Sequence, residues 1–209
     1  MLIAPSILAA DFSALGEEIK KTKGADLLHI DIMDGCFVPN ISIGPDVVAA
    51  LRDKTDLIFD VHLMIIKPLR YIEKFVKAGA DQITFHVECE DDTNAVIDEI
   101  HRFGIKAGLA IKPSTPVSVL APFAEKLHTV IVMSVEPGFG GQSLIPETLT
   151  KIKEIKQQFP HILVEVDGGV NRDTIKLCHE SGADILISGT GVFRAEDPQK
   201  EIEFLRSGK

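Results

Sequence analysis

The stretch HIDIMDG, residues 29–35, places a histidine and two aspartates in an apolar run that otherwise has the character of a buried strand. Alternate side chains of a strand point to opposite faces, so His29, Asp31 and Met33 share one face and their aliphatic neighbours share the other. Asp34 has the opposite parity and precedes Gly35, so we expect it to lie in the following loop in a structural role. The two faces of this strand therefore need different surroundings, one apolar and one polar.

Similar short apolar runs alternate with amphipathic stretches along the chain, which is typical of βα units in a parallel sheet. The predicted strands cover 2–9, 26–32, 57–63, 81–87, 106–111, 129–135, 162–168 and 184–189. The predicted helices cover 13–23, 45–53, 68–78, 92–103, about 116–124, 146–158, 171–181 and 197–206. Eight units in 209 residues favour an α/β fold with one (β/α)8 TIM barrel, a single domain over residues 1–209. The alternative, an open doubly wound sheet, lacks its glycine fingerprint after the first strand.

The ends of the predicted helices carry a recurring signal. The tripeptide GAD stands directly before three of the apolar runs, at 24–26, 79–81 and 182–184. Glycine suits the left-handed position that ends a helix. We expect the three aspartates to be solvated or helix-terminal groups at the amino ends of the strands, away from any reactive centre.

Composition argues against several classes of protein, among them nucleic-acid-binding, membrane and disulfide-rich proteins. The chain has 45% hydrophobic and 25% charged residues and a formal charge of −9, which argues against a nucleic-acid surface. We find no apolar stretch near the roughly 18 residues that span a membrane, and no signal peptide at the start. Three cysteines without CxxC spacing indicate reduced thiols. These features predict a cytoplasmic protein without a membrane or nucleic-acid partner.

Reactive side chains collect at the carboxyl ends of the predicted strands, where (β/α)8 barrels carry their chemistry. His29 and Asp31 end the second strand, His62 ends the third and Asp167 ends the seventh. Two imidazoles and two carboxylates around one centre suit a divalent metal, most readily zinc, with cobalt, manganese or iron also admissible. A single buried histidine is ordinarily a hydrogen-bonded core residue, but two histidines and two aspartates at matching strand ends favour a metal site. For His86 with Glu88, ligation of the metal, support of the site and simple packing all remain open.

Met33, Met64 and Met133 all fall at the same rim. They suggest an apolar wall around the reacting atoms, with ordinary packing of the top layer as the open alternative. Glycine-rich stretches follow strands six, seven and eight, as EPGFGGQS (136–143), VDGGVNRD (166–173) and SGTGVF (188–193). Bare backbone N–H groups at such turns predict a phosphate cradle.

The segments HIDIMDGCFVPNISIGP, FDVHLM, VMSVEPGFGGQSLIP and EVDGGVN resemble the signature segments of the ribulose-phosphate 3-epimerase family, and the similarity runs from Ala4 to about Phe193. The resemblance implies interconversion of D-ribulose 5-phosphate and D-xylulose 5-phosphate at C3, a reaction of the pentose phosphate pathway. It implies that His29, Asp31, His62 and Asp167 bind the metal and that Asp31 and Asp167 are the catalytic acid and base. The substrate-binding residues that it implies are Ser6, His29, His62, Gly138, Phe139, Gly140, Gly141, Asp167, Gly168, Gly169, Gly189 and Thr190.

The residues named above can supply the acid, the base and the metal that this epimerisation requires. Epimerisation beside a carbonyl requires a base on one face and an acid on the other, and a metal would act as a Lewis acid on the developing enediolate charge. The sequence departs from the family pattern at Glu136, at Cys36 and in the turn Gly189–Gly191. These departures leave an epimerase for a hexulose phosphate such as D-allulose 6-phosphate open.

Two further alternatives belong to other classes. A phosphate-binding lyase or decarboxylase would use a catalytic lysine, for which Lys112 is the candidate at the rim. A non-catalytic sugar-phosphate binder would use the acids only structurally. We also expect a homo-oligomer.

Overall fold

The computed structural model describes residues 1–208. Eight parallel strands form one sheet in the order β1-β8-β7-β6-β5-β4-β3-β2, and strands adjacent in this order are hydrogen-bonded to each other. The strands are β1 (Leu2–Pro5), β2 (Leu27–Met33), β3 (Ile58–Met64), β4 (Gln82–His86), β5 (Lys106–Ile111), β6 (Thr129–Met133), β7 (Leu163–Asp167) and β8 (Ile185–Ser188). Each lies within the apolar run predicted for it or extends it by one residue.

The barrel is completed where β1 lies beside β2. The Asp26 backbone N–H donates to the Ile3 carbonyl at 3.0 Å, and the Ile3 N–H donates to the Asp26 carboxylate at 2.8 Å. A single parallel bridge joins Ser6 to His29 nearer the carboxyl ends. The predicted TIM barrel is confirmed.

Helices cover the outside of the barrel. They are α1 (Leu15–Lys20), α2 (Pro45–Arg52), α3 (Ile72–Lys77), α4 (Thr93–Arg102), α5 (Thr150–Gln158), α6 (Ile175–Ser181), α7 (Thr190–Phe193) and α8 (Pro198–Ser207). Of those within residues 1–208, none has the length and apolarity that a membrane crossing requires. The prediction of a helix near 116–124 was wrong, because Pro122 interrupts the segment, which forms two short 3-10 turns, Val117–Leu120 and Ala124–Lys126.

Strand parity divides the core as predicted from HIDIMDG. Leu28, Ile30 and Ile32 are buried in the layer between the sheet and the helices. His29, Asp31 and Met33 have the opposite parity and face the barrel interior with alternate residues of the other strands. The apolar part of that interior is the smaller cluster Ala4, Leu27, Ala110, Ile131, Met133, Val135, Ile185 and Ile187.

The three GAD aspartates do more than was expected of solvated groups. Each accepts a backbone N–H from the preceding strand and pairs with a cation, as Asp81 does with the Phe59 N–H at 2.7 Å and Arg52 at 3.0 Å. Asp26 and Asp184 repeat the arrangement with Arg206 and Lys156. The preceding glycines have left-handed backbone angles as predicted, with φ of 98°, 100° and 86°. The GAD tripeptide therefore ties strand to strand at the amino end of the barrel.

Candidate active site and metal centre

Four side chains converge at the carboxyl end of the barrel. Asp31 Oδ1 lies 3.3 Å from both His29 Nε2 and His62 Nδ1. Asp167 Oδ2 lies 4.0 Å and 3.6 Å from the same two nitrogens. The strand register explains part of this geometry, because Asp31 is paired with His62 across β2 and β3. The four residues are the ones whose parity and strand position predicted a common centre.

The donor atoms of this cluster fit a divalent metal. One ligand atom from each of the four residues lies within 4.8 Å of the others. His29 Nε2 and His62 Nδ1 are buried and make no hydrogen bond among the described residues, although buried polar nitrogens are normally satisfied. Two nitrogen and two oxygen donors match the ligand preferences of zinc. The cluster thus offers lone pairs that a cation would satisfy.

The two aspartates of the cluster differ in acidity. Burial raises the pKa of Asp31, but the charge and close approach of His29 and His62 outweigh it and hold that pKa well below its usual range. Burial and the negative charge of Asp31 raise the pKa of Asp167 to about 6. At neutral pH Asp31 is therefore ionised, and Asp167, which has the higher pKa, holds a proton more readily.

Behind His29 lies a buried polar layer that the sequence prediction missed. His29 Nδ1 lies 2.5 Å from Asp60 Oδ2, and Asp60 Oδ1 accepts a hydrogen bond from Gln82 Nε2 at 2.8 Å. Gln82 also reaches Glu165 at 3.2 Å. Burial and the charge of Asp60 raise the pKa of Glu165 well above its usual value. The signal was available, because Asp60 and Glu165 stand two residues before His62 and Asp167 and share their faces.

A second polar chain lies behind His62. His62 Nε2 is 3.0 Å from His86 Nε2, and His86 Nδ1 is 3.2 Å from Glu88 Oε2. Burial lowers the pKa of His86 to about 4 despite the contact with Glu88. His86 and Glu88 therefore lie behind His62, outside the cluster of four, which fits support of the site among the interpretations that the sequence left open.

Above the cluster is a cavity that opens to solvent. Ser6 and Asp31 line its floor, and the Ser6 hydroxyl donates to Asp31 Oδ2 at 2.6 Å. The lining includes the three methionines predicted as an apolar wall and the predicted phosphate-binding residues, namely Met33, Met64, Met133, Gly138, Phe139, Gly140, Gly141, Gly168, Gly169, Gly189 and Thr190. No lysine or arginine is among the residues described as lining it. An anion in this cavity would therefore depend on backbone N–H groups.

The loop after β6 is tied down beside this cavity. Asn40 Nδ2 donates to the Gly138 carbonyl at 2.8 Å, and Gln142 Nε2 donates to the Glu136 and Phe139 carbonyls. Gly138 and Gly141 adopt left-handed angles that other residues rarely adopt. Glu136, one of the departures from the family pattern, is exposed and is not among the lining residues described.

The remaining candidates from the sequence lie outside the cluster. The Asp34 carboxylate accepts the N–H groups of Cys36, Phe37 and Ile66, each at 2.8 Å, which is a structural role in the β2 loop. The Lys112 ammonium lies 4.1 Å above the Phe37 ring, in a cation–π contact, and is not among the residues described as lining the cavity.

The model of the Ribulose-phosphate 3 epimerase family matches residues 2–193. The chain belongs to this family. A ribulose-phosphate 3-epimerase of Bacillus subtilis is 49% identical, with 99% of both chains covered. The enzyme of the same name from Schizosaccharomyces pombe is 45% identical over 98% of this chain and 92% of its own length. Membership at this coverage makes the chain an epimerase.

Solved structures agree on the fold. A 3-hexulose-6-phosphate synthase from Salmonella typhimurium superposes with a TM-score of 0.75 at 17% identity, covering 99% of this chain and 97% of the other. An orotidine 5'-phosphate decarboxylase from Pyrococcus horikoshii gives 0.71 at 15% identity, covering 98% and 97%. These likenesses show a shared barrel and carry no assignment of reaction to this epimerase.

Proposed function

We propose that this epimerase interconverts D-ribulose 5-phosphate and D-xylulose 5-phosphate at C3 with a bound divalent metal, most suitably Zn²⁺, as a step of the pentose phosphate pathway. The observation that carries the proposal is the pair Asp31 and Asp167, which differ in acidity and flank one cluster of metal donors. The relatives named above as ribulose-phosphate 3-epimerases support ribulose 5-phosphate as the substrate.

The two carboxylates supply the proton transfers. Asp31 is ionised at neutral pH and removes the C3 proton from one face of the sugar, leaving an enediolate. Asp167, with a pKa of about 6, returns a proton to the opposite face of the same carbon. The product is the C3 epimer, and in the reverse direction the two residues exchange roles. The Ser6 hydroxyl bound to Asp31 favours the ionised form of that carboxylate.

His29, His62, Asp31 and Asp167 would hold the metal. When bound, it supplies Lewis-acid stabilisation of the negative charge that develops on the substrate oxygens. Burial lowers the pKa of His29, but Asp31 and Asp60 outweigh it and raise that pKa well above its ordinary value. The centre therefore favours positive charge, and a metal would replace the proton there.

The sugar phosphate is held by the three glycine-rich turns, and the methionines Met33, Met64 and Met133 keep water from the reacting carbon. The positive φ angles of Gly168 and Gly169, 119° and 67°, turn that segment sharply between β7 and α6. Turns of this kind present backbone N–H groups to an anion.

The two-carboxylate proposal is tested by solvent exchange. Asp31→Asn is expected to lower the rate at which the C3 proton of ribulose 5-phosphate exchanges with deuterated water, and Asp167→Asn the corresponding rate for xylulose 5-phosphate, each by roughly 100-fold or more. Asp98→Asn removes the same charge from the outer surface of α4, where the side chain is 62% exposed, and should leave exchange unchanged. Exchange that survives both active-site changes would falsify the proposal.

The substrate is tested separately, by measuring kcat/KM for ribulose 5-phosphate and allulose 6-phosphate side by side. We expect the pentose phosphate to be preferred, and a preference for the hexulose would overturn that part of the proposal alone. Metal analysis of the purified protein tests the centre itself. The homo-oligomer and the cytoplasmic location remain predictions.

A further inference from the structure

The contact between His62 and His86 restricts where protons can lie. Their Nε2 atoms are 3.0 Å apart, which is hydrogen-bond distance, and both rings are buried. Two imidazole nitrogens form a hydrogen bond only if one carries a proton and the other offers a lone pair. One proton therefore lies between the two rings, bound covalently either to His62 Nε2 or to His86 Nε2.

The contacts of His62 on the side of the metal centre place this proton on His62 Nε2. His62 Nδ1 is the atom that faces the carboxylates of Asp31 and Asp167. A nitrogen that binds a metal must be unprotonated, so the proton of neutral His62 then lies on Nε2 and is donated to His86. His86 Nε2 is thereby the acceptor, and the proton of neutral His86 lies on Nδ1.

The contacts of Glu88 with His86 and its other neighbours lead independently to the same position for the proton. Glu88 Oε1 accepts hydrogen bonds from the Thr115 hydroxyl and from the Lys112 backbone N–H, the latter at 3.0 Å. A carboxylate only accepts, so Glu88 Oε2, 3.2 Å from His86 Nδ1, requires a proton on that nitrogen. Lys151 Nζ fixes the loop that carries these donors, through the carbonyls of Lys112 and Thr115 at 3.0 Å and 2.7 Å.

We infer that His86 and Glu88 are positioning residues that set the tautomer of His62, so that the Nδ1 lone pair is presented to the metal. Glu88 orients His86, and His86 accepts the Nε2 proton of His62. The inference rests on the metal centre proposed above and adds two residues that act through a ligand.

Glu88→Gln tests the inference most directly, because it reverses the direction of the hydrogen bond between residue 88 and His86 with little change in the shape of the side chain. The Lys112 N–H is fixed by the backbone and requires an acceptor, so the new amide turns its oxygen toward it. The amide NH2 then faces His86 Nδ1 and donates to it. Neutral His86 has a single acceptor nitrogen, and it now meets a donor at each side. His62 can bind metal only with one of these hydrogen bonds lost.

The experiment measures zinc affinity by competition with a chromogenic chelator, for the whole chain and its variants. Glu88→Gln is expected to weaken zinc binding by about 10-fold to 100-fold. Glu90→Gln is the matched control, because it removes the same charge two residues away on an exposed side chain that pairs with Lys67. It should bind zinc as the wild type does.

Nitrogen-15 NMR of the zinc-loaded wild type supplies the direct readout and does not depend on any variant folding. We expect a protonated Nδ1 and an unprotonated Nε2 on His86. The opposite tautomer, or two protonated nitrogens, overturns the inference, and so does a well-folded Glu88→Gln variant with unchanged zinc affinity. A wild type that binds no zinc contradicts the proposed metal centre instead.

Discussion

Asp60 is not among the residues described as lining the cavity, yet it contacts the His29 ring at Nδ1, while His29 Nε2 faces the proposed metal centre. One of its oxygens contacts His29 Nδ1 and the other accepts from Gln82. Asp60→Asn leaves one oxygen for two donors, so one donor is unsatisfied and His29 loses its fixed orientation. We expect zinc affinity to fall by about 10-fold to 100-fold, measured by chelator competition. Asp56→Asn, an exposed change four residues earlier, is the control, and equal affinity of the two variants would contradict this role.

His86 also predicts a pH dependence of stability. Its pKa is lowered to about 4 in the folded chain by burial, whereas an exposed histidine titrates near 6.5. The stability that neutral His86 contributes is therefore complete above pH 6.5 and is lost as the pH falls through 4, amounting to about 3 kcal/mol. In chelator-treated protein, the free energy of unfolding should decline more over this range than in His86→Gln. Parallel pH profiles would refute the assignment.

At the scale of the secondary-structure element, the turn between β7 and α6 has no room for a side chain. A Cβ atom at Gly169 would lie 2.4 Å from the Leu144 backbone nitrogen, and its φ is 67°. Gly169→Ala should therefore destabilise the fold by about 1 to 3 kcal/mol and raise KM by displacing the phosphate turn. Gly140→Ala is the control for stability, because a Cβ there meets nothing within 4 Å. Thermal melting separates the two, and equal melting temperatures would rule out the crowding.

The elements show which parts of a sequence carry structural information. The strands were predictable because each is a short apolar run ended by glycine or a polar residue, and parity alone assigned His29 and Asp31 to the interior. The segment around 116–124 was not predictable in this way, because its apolar spacing resembles that of a helix while Pro122 in its interior lacks the N–H that a helical hydrogen bond needs. The role of the GAD aspartates was also hidden, since their partners Arg52, Arg206 and Lys156 belong to other elements.

At the scale of the whole molecule, the centre exists only because the barrel closes. Asp31 and Asp167 stand on β2 and β7, which are not neighbours in the sheet. Strand-end position was enough to predict that they meet. The buried layer of Asp60, Gln82 and Glu165 was harder to predict, because register decides which residues of different strands lie at one level, and register is set by the packing of all eight strands.

A metal held by residues of β2, β3 and β7, as proposed above, would also stabilise the whole barrel. A ligand that binds only the folded chain stabilises it by about 2.7 kcal/mol at a free concentration 100 times its Kd. For a chain of this size that raises the melting temperature by roughly 5 to 10 °C. We expect this shift with Zn²⁺ after chelator treatment, and a much smaller one with Mg²⁺, which prefers oxygen ligands. His29→Ala with His62→Ala should abolish the zinc shift. If the shift persists in that double variant, zinc binds elsewhere and the four-residue centre is wrong.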